Sequence, residues 1–444
     1  MSDTLKNFDI EVKKINSWNL TYSQKATIIY PANLKELKKI IKILKKIKKN
    51  FTIRTGKCSY DSKSISSDKN GIIISLRKFN KIIHVNEKKK VVSVESGAKV
   101  SDVIYRLKKS NLTLFSVPGG ENISIGGAIA ANVIGKDSNQ SFASFGDSIK
   151  YLKIISYKGV IKELSSKSAK FNKYIGSFGM FGIILEAKIK LKKIISNNLL
   201  MQTKILKNID EVEIELKKRD EYKYIQIDPF FRKSNFAAVF KGNYVKSAEN
   251  NYKKKNLEAN FFEILLFKIS SFFINFITWK LFYKIFFLLN RNKKKFIDIH
   301  NFHYKSKYKH LVPLICKNGL IDYEILIKKK FSHSFLEIQN FLASNNLVPI
   351  YIIVKKLFKS KKKFFYSFNN NAYSIAISFR LNNLKDEKKN KFELLLKKRK
   401  LLLNLSKTDS KFIEKTKEIC SKENKVFMSL YKKMLINRKY EISG

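Results

Sequence analysis

The sequence predicts an α+β chain of two domains, and three observations carry that expectation. Its 444 residues exceed what a single core of ordinary size organises. Short β-type runs alternate with helix-period segments over roughly the first 190 residues. Beyond about residue 195 the texture changes to long lysine-rich segments with few glycines, and no internal repeat of 20 to 50 residues marks a solenoid. Hydrophobic residues make up 44% of the chain and aromatics 13%, enough apolar surface to offset chain entropy, so the chain is expected to fold.

The elements follow in order. The run ATIIYP from Ala26 is a short apolar strand. Leu34, Leu37, Ile40, Ile41, Leu44 and Ile47 then recur at helical spacing, and a further strand leads towards Lys57. Asn33 with Glu36 three residues on suits the start of that helix, because the Asn side chain accepts from an otherwise unpaired backbone N–H. Strands near GIIISL (from Gly71) and VVSVESG (from Val91) come next, then a helix carrying Val100, Val103, Ile104 and Leu107.

Lys and Arg total 90 against 36 acidic residues, a net charge of +54. Only nine of the 90 are Arg, and the lysines are spread along the whole chain beside abundant Asn, Ile and Phe. That pattern resembles the codon drift of an AT-rich genome more than a nucleic-acid face, which favours Arg for bidentate contacts, so no nucleic-acid partner is expected. Cys58, Cys316 and Cys420 are isolated and widely separated, which fits neither a disulfide framework nor a metal site. The N-terminal MSDTLKNFDIEVKKINSW lacks the apolar core of a signal peptide. A cytoplasmic location is therefore expected.

The most apolar stretch, 261–289, is interrupted by Glu263, Lys268, Lys280 and Lys284, leaving at most 11 uncharged residues in a row after Lys268. About 20 would be needed to span a bilayer. Leu265, Ile269, Phe272, Phe273, Phe276 and Trp279 fall to one side at helical spacing. Two readings stay open: core packing in the second domain, or a face lying peripherally on the inner side of a membrane, with lysines attracting anionic lipid.

Glycine is scarce, at 16 residues, yet Gly119, Gly120, Gly126 and Gly127 fall within nine positions and Gly176, Gly179 and Gly182 within seven. The segment SVPGGENISIGGAIAANVIG, from Ser116 to Gly135, lets a backbone approach a large ligand closely and present N–H groups to pyrophosphate oxygens. It is neither GxGxxG nor a Walker loop, so a different phosphate cradle is required.

Pro118-Gly119-Gly120, Ile125-Gly126-Gly127-Ala128-Ile129-Ala130, Gly135-Lys136 and Ser144-Phe145-Gly146-Asp147 occur in an order that resembles the FAD-binding domain of the vanillyl-alcohol oxidase / p-cresol methylhydroxylase (PCMH-type) superfamily. Within it the chain is most similar to decaprenylphosphoryl-β-D-ribose 2-oxidase-like oxidoreductases, from Trp18 to about Lys192. The resemblance implies a PCMH-type FAD-binding domain over residues 1–195, an α+β substrate cap over 196–404, and a C-terminal return to the FAD-binding domain over 405–444. It assigns the cofactor to Arg54, Ser59 and Tyr60 in the first loop (Arg54 to Ser64), to Pro118, Gly119, Gly120, Ile125, Gly126, Gly127, Ala130 and Lys136, to Ser144 and Phe145, and to Gly179, Gly182 and Ile183 in the second glycine-rich turn. The first loop departs from the family pattern at Thr55 and Lys57, with Gly56 out of step. Some members tether FAD through a loop histidine. No histidine lies between His84 and His300, so noncovalent FAD is expected.

The same resemblance implies Lys407, within NLSKTDS, as a catalytic lysine beside the flavin, and Tyr304, within Asn301-Phe302-His303-Tyr304, as a catalytic group over the sugar, with Asp322-Tyr323-Glu324 nearby. An ordinary surface or packed histidine is at least an equal reading of His303. Ile134 replaces a family histidine, and Ser374 and Ala376, on the strand AYSIAISF, replace a family Asn and Cys, so no nucleophilic thiol is part of the site. The implied reaction is oxidation of a secondary alcohol of a sugar, or of a polyprenyl-phosphate-linked sugar, by hydride transfer to flavin N5, with an NAD(P)H-dependent reductase as partner. Two alternatives stand beside it: an aldonolactone or alditol oxidase acting on a soluble sugar, and a basic flavin-fold binding protein without catalysis.

Overall fold

The computed structural model describes residues 5, 7–60, 70–137, 141–156, 158–179, 181–246, 261–304, 316, 319–365, 371–381, 384, 386–399 and 402–403. Three sheets carry the chain, and helices and sheets are mixed throughout.

The first sheet orders its strands Ile10–Asn16, Ser23–Ile29, Asn70–Ile74, Phe51–Ile53, and the last three run parallel. Parallel neighbours need a crossover, and the helix Leu34–Lys46 supplies it between Ser23–Ile29 and Phe51–Ile53. Its start is as the sequence predicts: the Asn33 side chain accepts from the Glu36 N–H at 3.0 Å, while the Glu36 carboxylate accepts from the Ala32 N–H at 2.8 Å. Leu37, Ile40, Ile41 and Leu44 are buried against Ile29, Ile72 and Ile74 of this sheet and against Ile155, Ile183 and Leu185 of the next, so the two sheets share a core.

The second sheet is antiparallel, in the order Ile82–Asn86, Val91–Glu95, Ile183–Lys193, Ile149–Ile155, Ile161–Ser165, with Leu112–Leu114 paired to the far end of Ile183–Lys193. The helix Val100–Leu107 lays Val100, Val103, Ile104 and Leu107 on it, and the short helix Ile125–Ala130 buries Ile125, Ala128 and Ile129 in the same core.

The chain changes sheet between Lys193 and Asn198. The third sheet has eight antiparallel strands in the order Lys294–Asp298, Asn198–Leu206, Ala237–Tyr244, Tyr222–Ile227, Tyr351–Leu357, Ala372–Arg380, Leu320–Ile327, Leu402–Leu403. Successive residues of a strand face opposite ways. Ile225, Tyr323, Ile325, Ile352, Val354, Ile375 and Ile377 therefore share one face, buried with Val212, Leu216, Phe335, Ile338, Phe392 and Leu396 from the helices Ile209–Lys217, Phe331–Ser344 and Asp386–Lys398. Complete burial of each such side chain contributes about 1.5–3 kcal/mol. The residues between them, among them Gln226, Asp322, Glu324, Tyr351 and Lys355, are left for the opposite face.

That face is held over the first two sheets by bonds far apart in sequence. The Asn19 side chain donates to the Leu320 carbonyl at 3.0 Å and the Leu320 N–H donates to the Asn19 carbonyl at 2.8 Å. Ser360 donates to Asp147 at 2.6 Å, and Lys108 pairs with Asp298 at 2.6 Å.

The stretch 261–289 is two helices, Phe261–Phe273 and Phe276–Leu289, bent by 118°. Asn275 starts the second as a reciprocal cap, its side chain accepting from Thr278 N–H at 3.0 Å and its own N–H donating to Thr278 Oγ1 at 2.9 Å. Core packing is not what most of this stretch does. Tyr283 and Phe287 are buried and Trp279 and Phe286 packed beside them, while Phe272, Phe273 and Phe276 are 71%, 67% and 58% exposed. The reason is composition: these helices are apolar almost all round, and one contact face against the sheet leaves the rest uncovered. Among the described residues no single helix is long and apolar enough to cross a membrane. The expected return segment 405–444 lies outside the described residues.

Candidate functional site

Between the glycine-rich loops and the polar face of the third sheet lies a cavity of about 600 Å³. Its two ends differ in chemistry.

One end is backbone and small side chains. Gly126 and Gly127 follow Ser124, which caps the short helix by accepting from the Gly127 N–H at 3.2 Å. A Cβ at Gly126 would come within 2.9 Å of Ser96 Cβ, so the helix can lie this close to Ser96 only as glycine. Gly56 is likewise required: a Cβ there would meet the Asn122 carbonyl oxygen at 2.2 Å, which explains the glycine standing out of step with the family pattern. Both loops are thereby pressed flush against the cavity wall.

Arg54 lines this end at 8% exposure. Its Nη2 donates to the Asn16 carbonyl at 2.5 Å, but Nε and Nη1, though buried, meet no hydrogen-bond partner among the described residues, and neither does Ser96 Oγ. Burial pulls the Arg54 pKa down. A desolvated cation with two unfilled donors, one unfilled hydroxyl in the same cavity and a wall of glycines fit a bound diphosphate. The residues present therefore suit a dinucleotide such as FAD, which Arg54, Ser96 and the loops 55–60, 118–120 and 126–127 would hold.

The other end is a hydrogen-bonded polar face. Tyr60 and Tyr351 stand side by side in this wall, and the Tyr351 hydroxyl donates to Asp322 Oδ1 at 3.1 Å. Ser378 also donates to Asp322. Sheet register makes this possible, since Ser378 lies opposite both Tyr351 and Asp322. Burial, reinforced by the nearby Asp322 carboxylate, pushes the Tyr60 and Tyr351 phenols well above the usual tyrosine range. One layer along, Ser374 donates to Glu324 at 2.5 Å, and Lys355 lies 3.6 Å from Glu324 and donates to the Ile134 carbonyl at 3.4 Å. Asp322 and Glu324 are both buried, at 6% and 1% exposure. Tyr224, Gln226 and His303 complete this wall.

Of the cofactor residues expected from sequence, Arg54, Ser59, Tyr60, Pro118, Gly119, Gly120, Gly126, Gly127, Ala130, Lys136, Gly179, Gly182 and Ile183 line the cavity. The Lys136 ammonium sits 4.6 Å from the Tyr224 ring centroid. Three others do not. Ile125 is fully buried in the core beneath its helix, one residue out of phase with the glycines that face the cavity. Ser144 accepts no ligand-facing role: its N–H and hydroxyl both donate to Asp147, at 2.9 and 3.1 Å. Phe145 is buried, its N–H donating to the carbonyl of Val133, a wall residue, so this turn supports the wall from behind. Tyr304 is also misplaced by the sequence reading. It is 3% exposed within the core of the second sheet, while its neighbour His303, turned about 100° from it, lines the cavity. Lys407 lies outside the described residues.

Tyr351, Lys355, Gln226 and Ser378 were not expected. The signal was present as polar residues at a two-residue period in otherwise apolar strands, Asp322 and Glu324 in LIDYEILI, Ser374 and Ser378 in AYSIAISF, and Tyr351 and Lys355 in YIIVKKL.

Residues 26–165 match the family described as FAD binding domain. A decaprenylphosphoryl-β-D-ribose oxidase of Mycolicibacterium smegmatis is 26% identical over 124 residues, 27% of this chain and 27% of the relative. A D-lactate dehydrogenase of Anaerostipes hadrus is 29% identical over 128 residues, again 27% of each. The chain thus spans about a quarter of the length of these two curated relatives. An L-gulonolactone oxidase of Bos taurus is 22% identical over 353 residues, 78% of this chain and 76% of the relative. Among solved structures, Physcomitrella patens BBE-like 1 superposes with a TM-score of 0.67 at 12% identity, covering 93% of this chain and 91% of that one.

Proposed function

We propose, from the premise that the chain is a member of the FAD-binding PCMH-type (vanillyl-alcohol oxidase / p-cresol methylhydroxylase) flavoprotein superfamily, that it is an FAD-dependent oxidoreductase acting on a CH–OH group of a sugar or lipid-linked sugar. The observation that carries this reading is the meeting, in one cavity, of a glycine and arginine cradle with a buried tyrosine and carboxylate relay.

Bound FAD supplies the hydride acceptor. The chain's own groups handle the proton and the substrate. An alcohol presented to Tyr60 and Tyr351 can release its hydroxyl proton along the tyrosine pair, because the relay ends on the Asp322 carboxylate. Lys355, anchored by Glu324, offers an ammonium to substrate oxygens. The packed third sheet fixes these groups, and its apolar backing excludes water from behind them.

FAD is held noncovalently in this reading. Among the described residues of the first loop and the glycine-rich loops there is no histidine to tether the flavin, and His303 lines the cavity from the short helix Ile299–His303. Acid precipitation of the purified protein is expected to leave all flavin in the supernatant; flavin retained on the pellet refutes this part.

A polyprenyl-phosphate-linked sugar is supported by the likeness to the ribose oxidase, and a reductase using NAD(P)H is its expected partner. A soluble aldonolactone or alditol is the second reading, favoured by the longer match to L-gulonolactone oxidase. Anaerobic bleaching of the flavin on mixing with each substrate class decides between them. If neither class nor a 2-hydroxy acid bleaches bound flavin, the oxidoreductase reading fails.

A further inference from the structure

The bent helix pair Phe261–Phe273 and Phe276–Leu289 is a surface that the oxidoreductase reading does not use. Fourteen of the 22 large hydrophobic side chains exposed among the described residues belong to it. Phe261, Phe262, Ile277, Leu288 and Leu289 are 80%, 65%, 75%, 68% and 63% exposed. Exposed apolar area this concentrated marks an interaction surface.

Charge decides what covers it. From residue 264 to 297 the sequence carries seven cations, Lys268, Lys280, Lys284, Arg291 and Lys293 to Lys295, and no carboxylate. All seven side chains are exposed. Cations interspersed along and just after an aromatic and aliphatic face complement anionic headgroups above acyl chains, and a second copy of the same face would meet it with like charge. The 118° bend sets the helices against each other instead of end to end, so the pair is not one straight span.

The pair is fixed to the rest of the protein at its bend. Arg380 on the third sheet donates to the Ile274 carbonyl at 2.5 Å and the Ser271 carbonyl at 3.3 Å, satisfying carbonyls that the first helix leaves open at its C-terminal end. Ile274 and Trp279 pack in one cluster with Trp18 and Tyr351, two residues of the cavity wall. The apolar surface is thus continuous, through packed side chains, with the wall of the site.

We infer that the helix pair 261–289 docks the protein on an anionic lipid bilayer, lying in its interface. This stands whether or not the oxidoreductase reading does, because the docking measurement needs no substrate.

The test is co-flotation of the full-length, FAD-loaded protein with phosphatidylcholine vesicles containing about one third phosphatidylglycerol, and with phosphatidylcholine alone. The wild type is expected to float with the anionic vesicles and much less with the neutral ones. The triple variant Phe272→Ser, Ile277→Ser, Leu288→Ser keeps every charge and is expected to bind about tenfold or more weakly, with an unchanged melting temperature. Equal binding by this variant would overturn the proposal, because the net charge of +54 would then account for the binding. Failure of the wild type to float would overturn it too, and light scattering would then ask whether a second copy covers the face. Should the triple variant not fold, Phe273→Trp gives a second reading: bromine-labelled acyl chains are expected to quench the new indole. Absence of quenching in floated protein refutes interfacial docking.

Discussion

Replacing Tyr351 with Phe removes one oxygen and leaves the ring in place. That oxygen stands between Tyr60 and Asp322 and donates to the second at 3.1 Å. Asp322 is 6% exposed and keeps the bond from Ser378, so the variant loses one hydrogen bond to a buried charged group, a loss of about 1.5–3 kcal/mol in unfolding free energy. Loss of a positioned proton-transfer path slows chemistry by about 100-fold, equivalent to about 2.7 kcal/mol in the barrier. Stopped-flow reduction of the flavin under anaerobic conditions, with whichever substrate bleaches it, measures this without an electron acceptor. Tyr60→Phe is expected to slow reduction comparably, and the double variant to be little worse than either single one, since groups acting as a relay fail together. Both phenols are held far above the ordinary tyrosine range by burial, so the wild-type rate is expected to show no tyrosine ionisation below about pH 10. A Tyr351→Phe enzyme reducing flavin at the wild-type rate, or strictly additive losses in the double variant, would refute the relay.

Arg54→Gln is expected to weaken FAD binding by about 30-fold or more, as a charge-assisted contact to phosphate is lost, while the apo-protein melts no lower because the buried guanidinium carries two unpartnered donors; fluorescence titration and apo melting read both. Gly127→Val is expected to fold without FAD, since a Cβ there comes near only Ser124 Oγ, at 3.1 Å, and its further methyls enter the cavity; full flavin content in that variant would move the cradle elsewhere. Burial pushes the Asp137 carboxyl up from the ordinary aspartate value of 3.8 to about 7, despite the Val117 N–H at 3.0 Å. The folded state therefore holds a proton that the unfolded chain has released between these two values, and stability falls as pH rises through that window. Asp137→Asn keeps an acceptor for Val117 and removes the titration, so its stability relative to wild type should improve by up to about 3 kcal/mol between pH 5 and pH 8. An unchanged difference across that range would contradict it.

Local sequence determined what local chemistry can determine. Asn33 and Glu36 announced a helix start that forms as expected, because a cap joins groups three residues apart. The glycine clusters marked loops of close backbone approach, because that approach needs residues without side chains wherever it occurs, and the loops carrying Gly119, Gly126 and Gly179 do converge on one cavity. Period alone could not say which neighbour of a pair faces the cavity, and so Ile125 and Tyr304 went to the core while Gly126 and His303 reached the wall. The polar half of the site was decided by tertiary structure alone. Tyr60, Asp322, Tyr351 and Ser378 meet only because antiparallel register sets Ser378 opposite both Asp322 and Tyr351, and because the third sheet is fastened over the first loop. The same holds for the helix pair 261–289: its sequence fixed a helical period and an apolar character, but exposure depends on what else the chain brings against it. Only the fold shows that the sheet covers Tyr283 and Phe287 and leaves Phe272 and Phe273 bare. Hydrogen bonds between strands and burial between layers join residues hundreds of positions apart, and no local pattern encodes that pairing.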